Sequence, residues 1–328
     1  ENPYPPSPQV SNVLSQIKPE SLRRYPPATA QKFRQLAAEL HGLDLKNVIA
    51  TRGGDELLRL VITTFVDPGE KIGMTDPTYS LYSVLAQIQD CPIVNAPLLA
   101  DWTLPEEFAQ SMNDQKVRLT FLVNPHAPTG ALMPIDQISK LASKLNSILL
   151  LDEAYIDFVD HHYQTAQLVK EHDNLIILRT LSKGYSLAGL RFGYGLADQS
   201  LIAPMLHKTR DSYNLDFISQ RVAEAAIADQ DHVRANAKKV ILERDRLRAE
   251  LHVLGIYCAD SQANFLLATI PDTIKFSAAE LYQKLKDRHV LVRYFNAQRL
   301  DNKLRVSIGT GEENDQLLST LVDILKQS

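Results

Sequence analysis

The chemistry in this sequence concentrates where apolar runs stop. Ile148-Leu149-Leu150-Leu151 leads into Asp152-Glu153-Ala154-Tyr155, and Ile176-Ile177-Leu178-Arg179 leads into Thr180-Leu181-Ser182-Lys183. Phe121-Leu122-Val123 leads into Asn124-Pro125-His126-Ala127-Pro128-Thr129-Gly130, and Val48-Ile49-Ala50 into Thr51-Arg52-Gly53-Gly54-Asp55-Glu56. In an open α/β sheet, ligands gather beyond the carboxyl ends of strands, so these junctions would bring a carboxylate, an amine, an amide and a glycine pair to one rim.

Glycines that open a helix expose backbone N–H groups to an anion, and the helix dipole adds favourable potential. Lys183 and Arg191, with Gly184, Gly189 and Gly193 around them, could complete such a site with fixed positive charge. A lysine that is to act as a nucleophile must lose its proton, which costs about 4 to 5 kcal/mol at neutral pH from its ordinary pKa. Burial and neighbouring cations lower that cost. An acid such as Asp152, facing a pyridine nitrogen, would keep that ring protonated and electron-withdrawing.

Singly, each residue has a plainer reading. Asp152 could cap a turn, Lys183 could be a solvated lysine, and Arg191 and Arg305 could be surface ion-pair partners. Gly53-Gly54 could be a tight turn, and Tyr79 and Tyr82, spaced as helix neighbours, could both be core. His161-His162 reads as loop, without a third ligand at metal-site spacing. The combination of Asp152, Lys183 and Arg191 at strand ends is what favours chemistry.

The elements that must position these residues follow from apolar patterning. Short runs at 48–50, 71–75, 93–96, 118–123, 148–151, 175–178 and 192–196 alternate with amphipathic stretches, which predicts a mostly parallel sheet covered by helices. After Asp198, helical periodicity runs over 200–210, 217–229 and 231–254, the last being the expected interdomain connector. Strands over 264–268, 290–293 and 303–308 with helices over 277–289 and 312–326 predict a smaller α+β domain. Seven of the 17 prolines fall in the first 30 residues, which predicts an extended arm. The expected division is an arm over 1–27, a large domain over 28–230 and a small domain over 231–328.

With 328 residues, 45% of them apolar, the chain can bury a substantial core. Its 35 basic and 39 acidic residues give a net charge of −4, which offers nucleic acid no general attraction. Cys91 and Cys258 form no CxxC pair, so neither a disulfide framework nor a thiolate metal site is expected, and a cytoplasmic setting fits best. No run is long and apolar enough to span a bilayer, and the start does not resemble a signal peptide. The chain lacks an initiating Met, which is compatible with removed upstream residues. No GxGxxG and no Gly-Lys dipeptide occurs, which argues against a nucleotide site.

Together the residues resemble the histidinol-phosphate aminotransferases, within the pyridoxal-phosphate-dependent enzymes of fold type I. The marks are Glu1-Asn2-Pro3-Tyr4, Arg24-Tyr25-Pro26, Arg52-Gly53-Gly54-Asp55-Glu56, Asp76-Pro77-Thr78-Tyr79 with Tyr82, Asp152-Glu153-Ala154-Tyr155, Thr180-Leu181-Ser182-Lys183, Leu187-Ala188-Gly189-Leu190-Arg191 and Leu304-Arg305-Val306-Ser307-Ile308-Gly309-Thr310. The resemblance implies pyridoxal 5'-phosphate as cofactor, carried in imine linkage by Lys183, which also shuttles the proton. It implies Asp152 at the pyridine nitrogen, Tyr155 at the ring hydroxyl and Tyr79 on the ring face. Gly54, Asp55, Ser182 and Arg191 would hold the phosphate, with Thr180 also at the cofactor and Tyr25 reaching in from a second subunit of a homodimer. Arg305 would take the substrate α-carboxylate, with Asn264 beside it, while Arg293 and Tyr4 would meet the distal phosphate.

This sequence departs from the family's Asn-Asn-Pro-Thr-Gly by carrying Ala127 before Pro128, so a usual amide contact is missing and Asn124 or His126 is the candidate substitute. Phe265 likewise replaces a common tyrosine. The implied reaction moves the amino group of L-histidinol phosphate to 2-oxoglutarate, in histidine biosynthesis. Alternatives are a transaminase for aromatic or other amino acids, a threonine-phosphate decarboxylase, or, less in keeping with a chain lacking a DNA-binding domain, a non-enzymatic pyridoxal-phosphate-binding regulator.

Overall fold

The computed structural model describes residues 1–326. Strands β1 (Val48–Thr51), β2 (Lys71–Asp76), β3 (Ile93–Pro97), β4 (Val117–Val123), β5 (Ile148–Asp152), β6 (Leu175–Thr180) and β7 (Gly193–Ala197) form one sheet in the order β1-β7-β6-β5-β4-β2-β3. It is parallel from β6 to β3, and only β7 opposes its neighbours. A second, antiparallel sheet holds β8 (Tyr257–Cys258), β9 (Phe265–Thr269), β10 (Arg293–Tyr294) and β11 (Lys303–Ser307) in the order β10-β11-β9-β8. The helices are α1 (Pro8–Gln16), α2 (Gln31–His41), α3 (Gly53–Phe65), α4 (Leu81–Ile88), α5 (Phe108–Asp114), α6 (Ile135–Lys144), α7 (Gln199–Pro204), α8 (Phe217–Ala228), α9 (Gln230–Val253), α10 (Ala278–Lys286) and α11 (Gly311–Lys326).

Strand alternation divides the core of the large sheet in two. Leu149, Leu151, Leu175, Ile177, Tyr194 and Leu196 face one layer, where they meet Phe33 of α2, Met112 of α5 and Val222 of α8. Ile49, Leu119, Phe121, Leu150, Ile176 and Leu178 face the other, packed on Leu57 and Val61 of α3 and Tyr82 of α4. With both faces covered, the strands read as continuous aliphatic runs, as parallel sheets require. Each such side chain contributes roughly 1.5–3 kcal/mol by burial. In the small sheet, Leu266, Ala268, Leu304 and Val306 turn towards Val240, Leu247, Leu281 and Leu321 of the helices. The opposite face, carrying Phe265 and Arg305, turns towards the large sheet.

Three expectations are corrected. The proline-rich start is not simply extended: Ser7 caps α1 by accepting from the Gln9 N–H, with Pro8 in the first turn, and Pro19 opens a short 3₁₀ turn. Proline has no N–H to lose at a helix start, so its density there marks starts as much as extension. The helix expected over 200–210 stops being α-helical at Pro204 and continues as a five-residue π-helix, Met205–Thr209. The strand expected over 290–293 shrinks to Arg293–Tyr294, because the Val290 N–H closes the end of α10 on Leu285 O, with His289 left-handed.

Candidate active site

The carboxyl ends of β1, β5 and β6 and one face of the small sheet enclose a cavity of about 530 Å³. Gly54, Asp55, Tyr79, Ala127, Asp152, Tyr155, Thr180, Ser182, Lys183, Arg191 and Arg305 all line it.

Asp152 ends β5 as a buried carboxylate. Its Oδ2 accepts from the Tyr82 hydroxyl at 2.7 Å and its Oδ1 from the Ala154 N–H at 3.0 Å. Burial pushes its pKa up to about 6, against the pull of these two donors. Among the described residues no cation pairs with this buried carboxylate, and a protonated ring nitrogen would answer it.

The opposite requirement arises at the start of α3. Gly53, at φ +78°, turns the chain so that the guanidinium of Arg191 lies where a side chain would stand. Arg191 donates to Ala188 O at 3.1 Å and to Ser182 Oγ at 3.4 Å, and lies 3.3 Å from Asp55 Oδ2. Thr180 Oγ1 donates to Ser182 Oγ at 3.0 Å. Helix N–H groups, two hydroxyls and a guanidinium thus lie along one rim, a set of donors suited to an anion.

Lys183 lies past β6, its Nζ 5.9 Å from the centre of the Tyr155 ring. Its pKa is lowered, first by burial and then by Arg305 and Arg191, both of which also line the cavity. The Asn2 side chain pins its backbone by donating to Lys183 O at 3.1 Å. Tyr155 packs edge-on against Phe265, and burial raises its pKa. The guanidinium of Arg305 lies over Phe265 at 5.1 Å and over Phe295 at 5.7 Å. Between a carboxylate that wants a cation and a rim that wants an anion, the cavity fits a cofactor with a basic ring and a phosphate.

The family model for aminotransferases of class I and II matches residues 1–321. The chain belongs to this family. Curated relatives include histidinol-phosphate aminotransferase 1 of Nostoc sp., 41% identical over 99% of this chain and 90% of the relative, and the histidinol-phosphate aminotransferase of Microcystis aeruginosa, 40% identical over the same shares. Among solved structures, the histidinol-phosphate aminotransferase of Sinorhizobium meliloti in complex with pyridoxal-5'-phosphate superposes with a TM-score of 0.93 at 24% identity, covering 100% of this chain and 89% of that one. The L-threonine-O-3-phosphate decarboxylase of Porphyromonas gingivalis shares the fold at a TM-score of 0.83 and 19% identity, covering 97% and 95%.

Not every residue expected at the site of this aminotransferase is brought to the cavity. Asn124 is spent elsewhere: its Nδ2 donates to the Tyr163 hydroxyl at 2.7 Å and its Oδ1 accepts from the Met133 N–H at 2.8 Å. His126 pairs with Thr129 Oγ1 and Pro77 O, and burial lowers its pKa to about 4, keeping it neutral. Neither takes the place left by Ala127, which itself lines the cavity. Tyr25 is 81% exposed, stacks on Tyr213 and does not line its own chain's cavity. Tyr4 sits beneath Lys239 and packs on the small-domain core. Asn264 Nδ2 donates to Glu1 O at 2.8 Å. Arg293 is exposed and stands over Phe295 at 5.5 Å.

Sequence reasoning gives no role to Tyr82, which supports Asp152, nor to Phe295, which lies under two arginines. Tyr82 carries a signal in its i+3 spacing from Tyr79; Phe295 carries none beyond its nearness to Arg293. Asp160 adds a third ligand-type group to His161 and His162, within 4.8 Å of one another, which the spacing of the two histidines alone does not reveal. All three are exposed on one turn and none lines the cavity. Among the described residues no helix is long and apolar enough to cross a membrane.

Proposed function

We propose that this aminotransferase moves the amino group of L-histidinol phosphate to 2-oxoglutarate, giving imidazole-acetol phosphate and L-glutamate, the transamination of histidine biosynthesis. The observation that carries the reading is one cavity holding a deprotonation-prone Lys183, a buried Asp152 and an anion rim, in a chain about 40% identical along its length to curated histidinol-phosphate aminotransferases. Pyridoxal 5'-phosphate, when bound, supplies an electrophilic carbon and an electron-withdrawing ring on which an amino group can be exchanged. In this reading Arg191, Ser182, Thr180 and the N–H groups of Gly54 and Asp55 hold its phosphate. Asp152 faces its ring nitrogen, Tyr155 its ring hydroxyl and Tyr79 its ring face. Tyr25 contributes from a second subunit of a homodimer, in which residues 28–230 form the cofactor domain and 231–328 the smaller one.

Lys183 has two tasks. Its lowered pKa keeps Nζ available as a nucleophile, and the same nitrogen then takes the proton from the substrate carbon and returns it. Asp152 holds a proton at the ring nitrogen by remaining ionised beside it. The arginines divide the substrates by chemistry. L-Histidinol phosphate carries a phosphate ester where glutamate carries its α-carboxylate. Arg305, which lines the cavity, therefore serves the carboxylate in the glutamate half and the phosphate in the other, whereas Arg293 and Tyr4, which do not line it, would reach that phosphate only by a movement of the loop and arm that carry them.

The test is the visible spectrum of purified protein with pyridoxal 5'-phosphate, before and after L-histidinol phosphate, beside Lys183→Ala. The expected result is an absorption band that needs Lys183 and that the donor discharges. A band discharged only by other amino donors sinks the substrate assignment; no Lys183-dependent band sinks the cofactor assignment.

A further inference from the structure

Between β10 and β11 the chain makes a loop that touches both domains. Phe295 begins it, beneath Arg293 and Arg305. Arg299, farther along, leaves the small sheet altogether. Its guanidinium lies 4.4 Å from the centre of the Trp102 ring, and its Nη1 and Nη2 donate to Leu98 O and Leu99 O, both at 2.6 Å. Those acceptors belong to the turn that follows β3, whose Leu98 N–H is tied to Asp76 O at the end of β2. One planar cation thus spans an indole face and two successive carbonyls, a fork that a lysine cannot reproduce. Arg299 and Trp102 both adopt left-handed backbone, at φ 67° and 68°, which residues other than glycine hold only where surroundings enforce it.

We infer that Arg299 is a positioning residue for substrate recognition: it latches the β10–β11 loop to the large domain and so fixes Phe295, the ring against which Arg293 and Arg305 are set. The physical link is short. Arg293 and Arg305 are paired across β10 and β11, and the loop joining those strands is the segment that Arg299 anchors. Freed from Trp102, the loop keeps its strands but loses its reference to the sheet that carries Lys183. The anion-binding arginines then sample more orientations relative to the reacting amine, and binding weakens more than chemistry.

The inference rests on the reading of Arg305 and Arg293 as the anion site, and its test separates the two. The chain contains a single tryptophan, so emission excited beyond the tyrosine band reports on Trp102 alone. In the holoenzyme, Arg299→Ala is expected to shift Trp102 emission to longer wavelength and to raise KM for glutamate and for L-histidinol phosphate on the order of tenfold, as loss of a stacked, doubly bonded cation implies, with kcat changed less than KM and cofactor affinity retained. Arg299→Lys is expected to rescue neither readout, while Trp102→Phe, which keeps an aromatic face, stays close to the parent in KM. Unchanged emission and KM in Arg299→Ala overturn the latch, as does a lower melting temperature with KM unmoved. If Arg299→Ala does not fold, Arg299→Lys carries the same two readouts, and parent-like emission and KM in that variant overturn the latch in turn. If L-histidinol phosphate is not a donor at all, the glutamate arm and the fluorescence still decide the latch, and only the substrate reading falls.

Discussion

Tyr82 donates a hydrogen bond from its hydroxyl to Asp152 Oδ2 at 2.7 Å, from a ring that is fully buried and stacked 4.5 Å from Phe121. The tyrosine neither lines the cavity nor can ionise, since burial and Asp152 hold its pKa well above the ordinary value. Its task is to hold a carboxylate in place and in charge. Phenylalanine fills the same space, so Tyr82→Phe removes the bond alone. A hydrogen bond to a charged group is worth about 1.5–3 kcal/mol. Its loss moves the pKa of Asp152 above the present value of about 6. The acid limb of kcat/KM is expected to move to higher pH and cofactor affinity to fall, read from a pH–rate profile and a cofactor titration. An unmoved acid limb would show that Asp152 does not depend on Tyr82.

The same carboxylate sets a stability cost. Asp152 and Asp157 are both pushed up by burial to about 6 from 3.8. A folded-state pKa above the unfolded one means that the folded protein binds more protons between those values, so stability is greatest below about pH 4 for these two groups and falls as pH rises through about 6. Without cofactor, Asp152→Asn is therefore expected to melt higher than the parent at pH 8, with the advantage shrinking towards pH 4, while transaminase activity is lost. Thermal melts of the two cofactor-free proteins at both pH values check this. An advantage that grows as pH falls would refute the assignment.

The strand ends that carry Asp152 and Lys183 are legible because a parallel sheet buried on both faces writes itself as aliphatic runs, and the polar residue after each run is the one at the rim. Gly53-Gly54 and Arg191 are legible as a pairing of glycine with fixed charge, and the structure sets the Arg191 guanidinium where a side chain on Gly53 would stand. Legibility fails where position depends on a partner far along the chain. Asn124 stands free after β4 in the sequence, yet Tyr163 and Met133 claim its amide. The prolines of residues 1–30 read as an arm, yet Pro8 opens a helix that packs on α8. Trp102 and Arg299 stand 197 positions apart, and nothing local to either announces the other.

Lys183 and Arg305 are coupled through charge. After burial, the guanidinium of Arg305 is the largest influence lowering the lysine's pKa. Arg305→Gln keeps a polar side chain and removes the charge. The pH at which Lys183 becomes reactive towards an amine-specific reagent is expected to rise in the cofactor-free protein. If Arg305 takes a substrate carboxylate bidentately, as proposed, KM for glutamate and 2-oxoglutarate is also expected to rise on the order of a hundredfold. Labelling rates across pH, with mass spectrometry to identify Lys183, provide the first readout and steady-state kinetics the second. A rise in KM with an unshifted labelling profile would mean that Arg305 acts on substrate alone.

Directly after Asp152, Glu153 is buried with its Oε2 2.6 Å from Arg179 Nε and its Oε1 accepting from Thr165 Oγ1 at 2.5 Å. Removing one member of a buried pair strands the other charge, at a cost of about 3–5 kcal/mol, whereas removing both can be close to neutral. Arg179→Met is thus expected to lower the denaturation midpoint sharply, and Glu153→Gln/Arg179→Met to recover most of the loss. Burial already raises the pKa of Glu153 against the pull of Arg179, so without the arginine it rises further. The deficit of Arg179→Met should therefore shrink as pH falls and Glu153 takes up a proton. Denaturant midpoints for the parent, both single variants and the double variant, at pH 5 and pH 8, decide the matter. A double variant as unstable as Arg179→Met would mean that the arginine acts through its other contacts, such as the hydrogen bond from its Nη2 to Thr165 Oγ1 at 3.4 Å, with the buried charge of Glu153 playing no part.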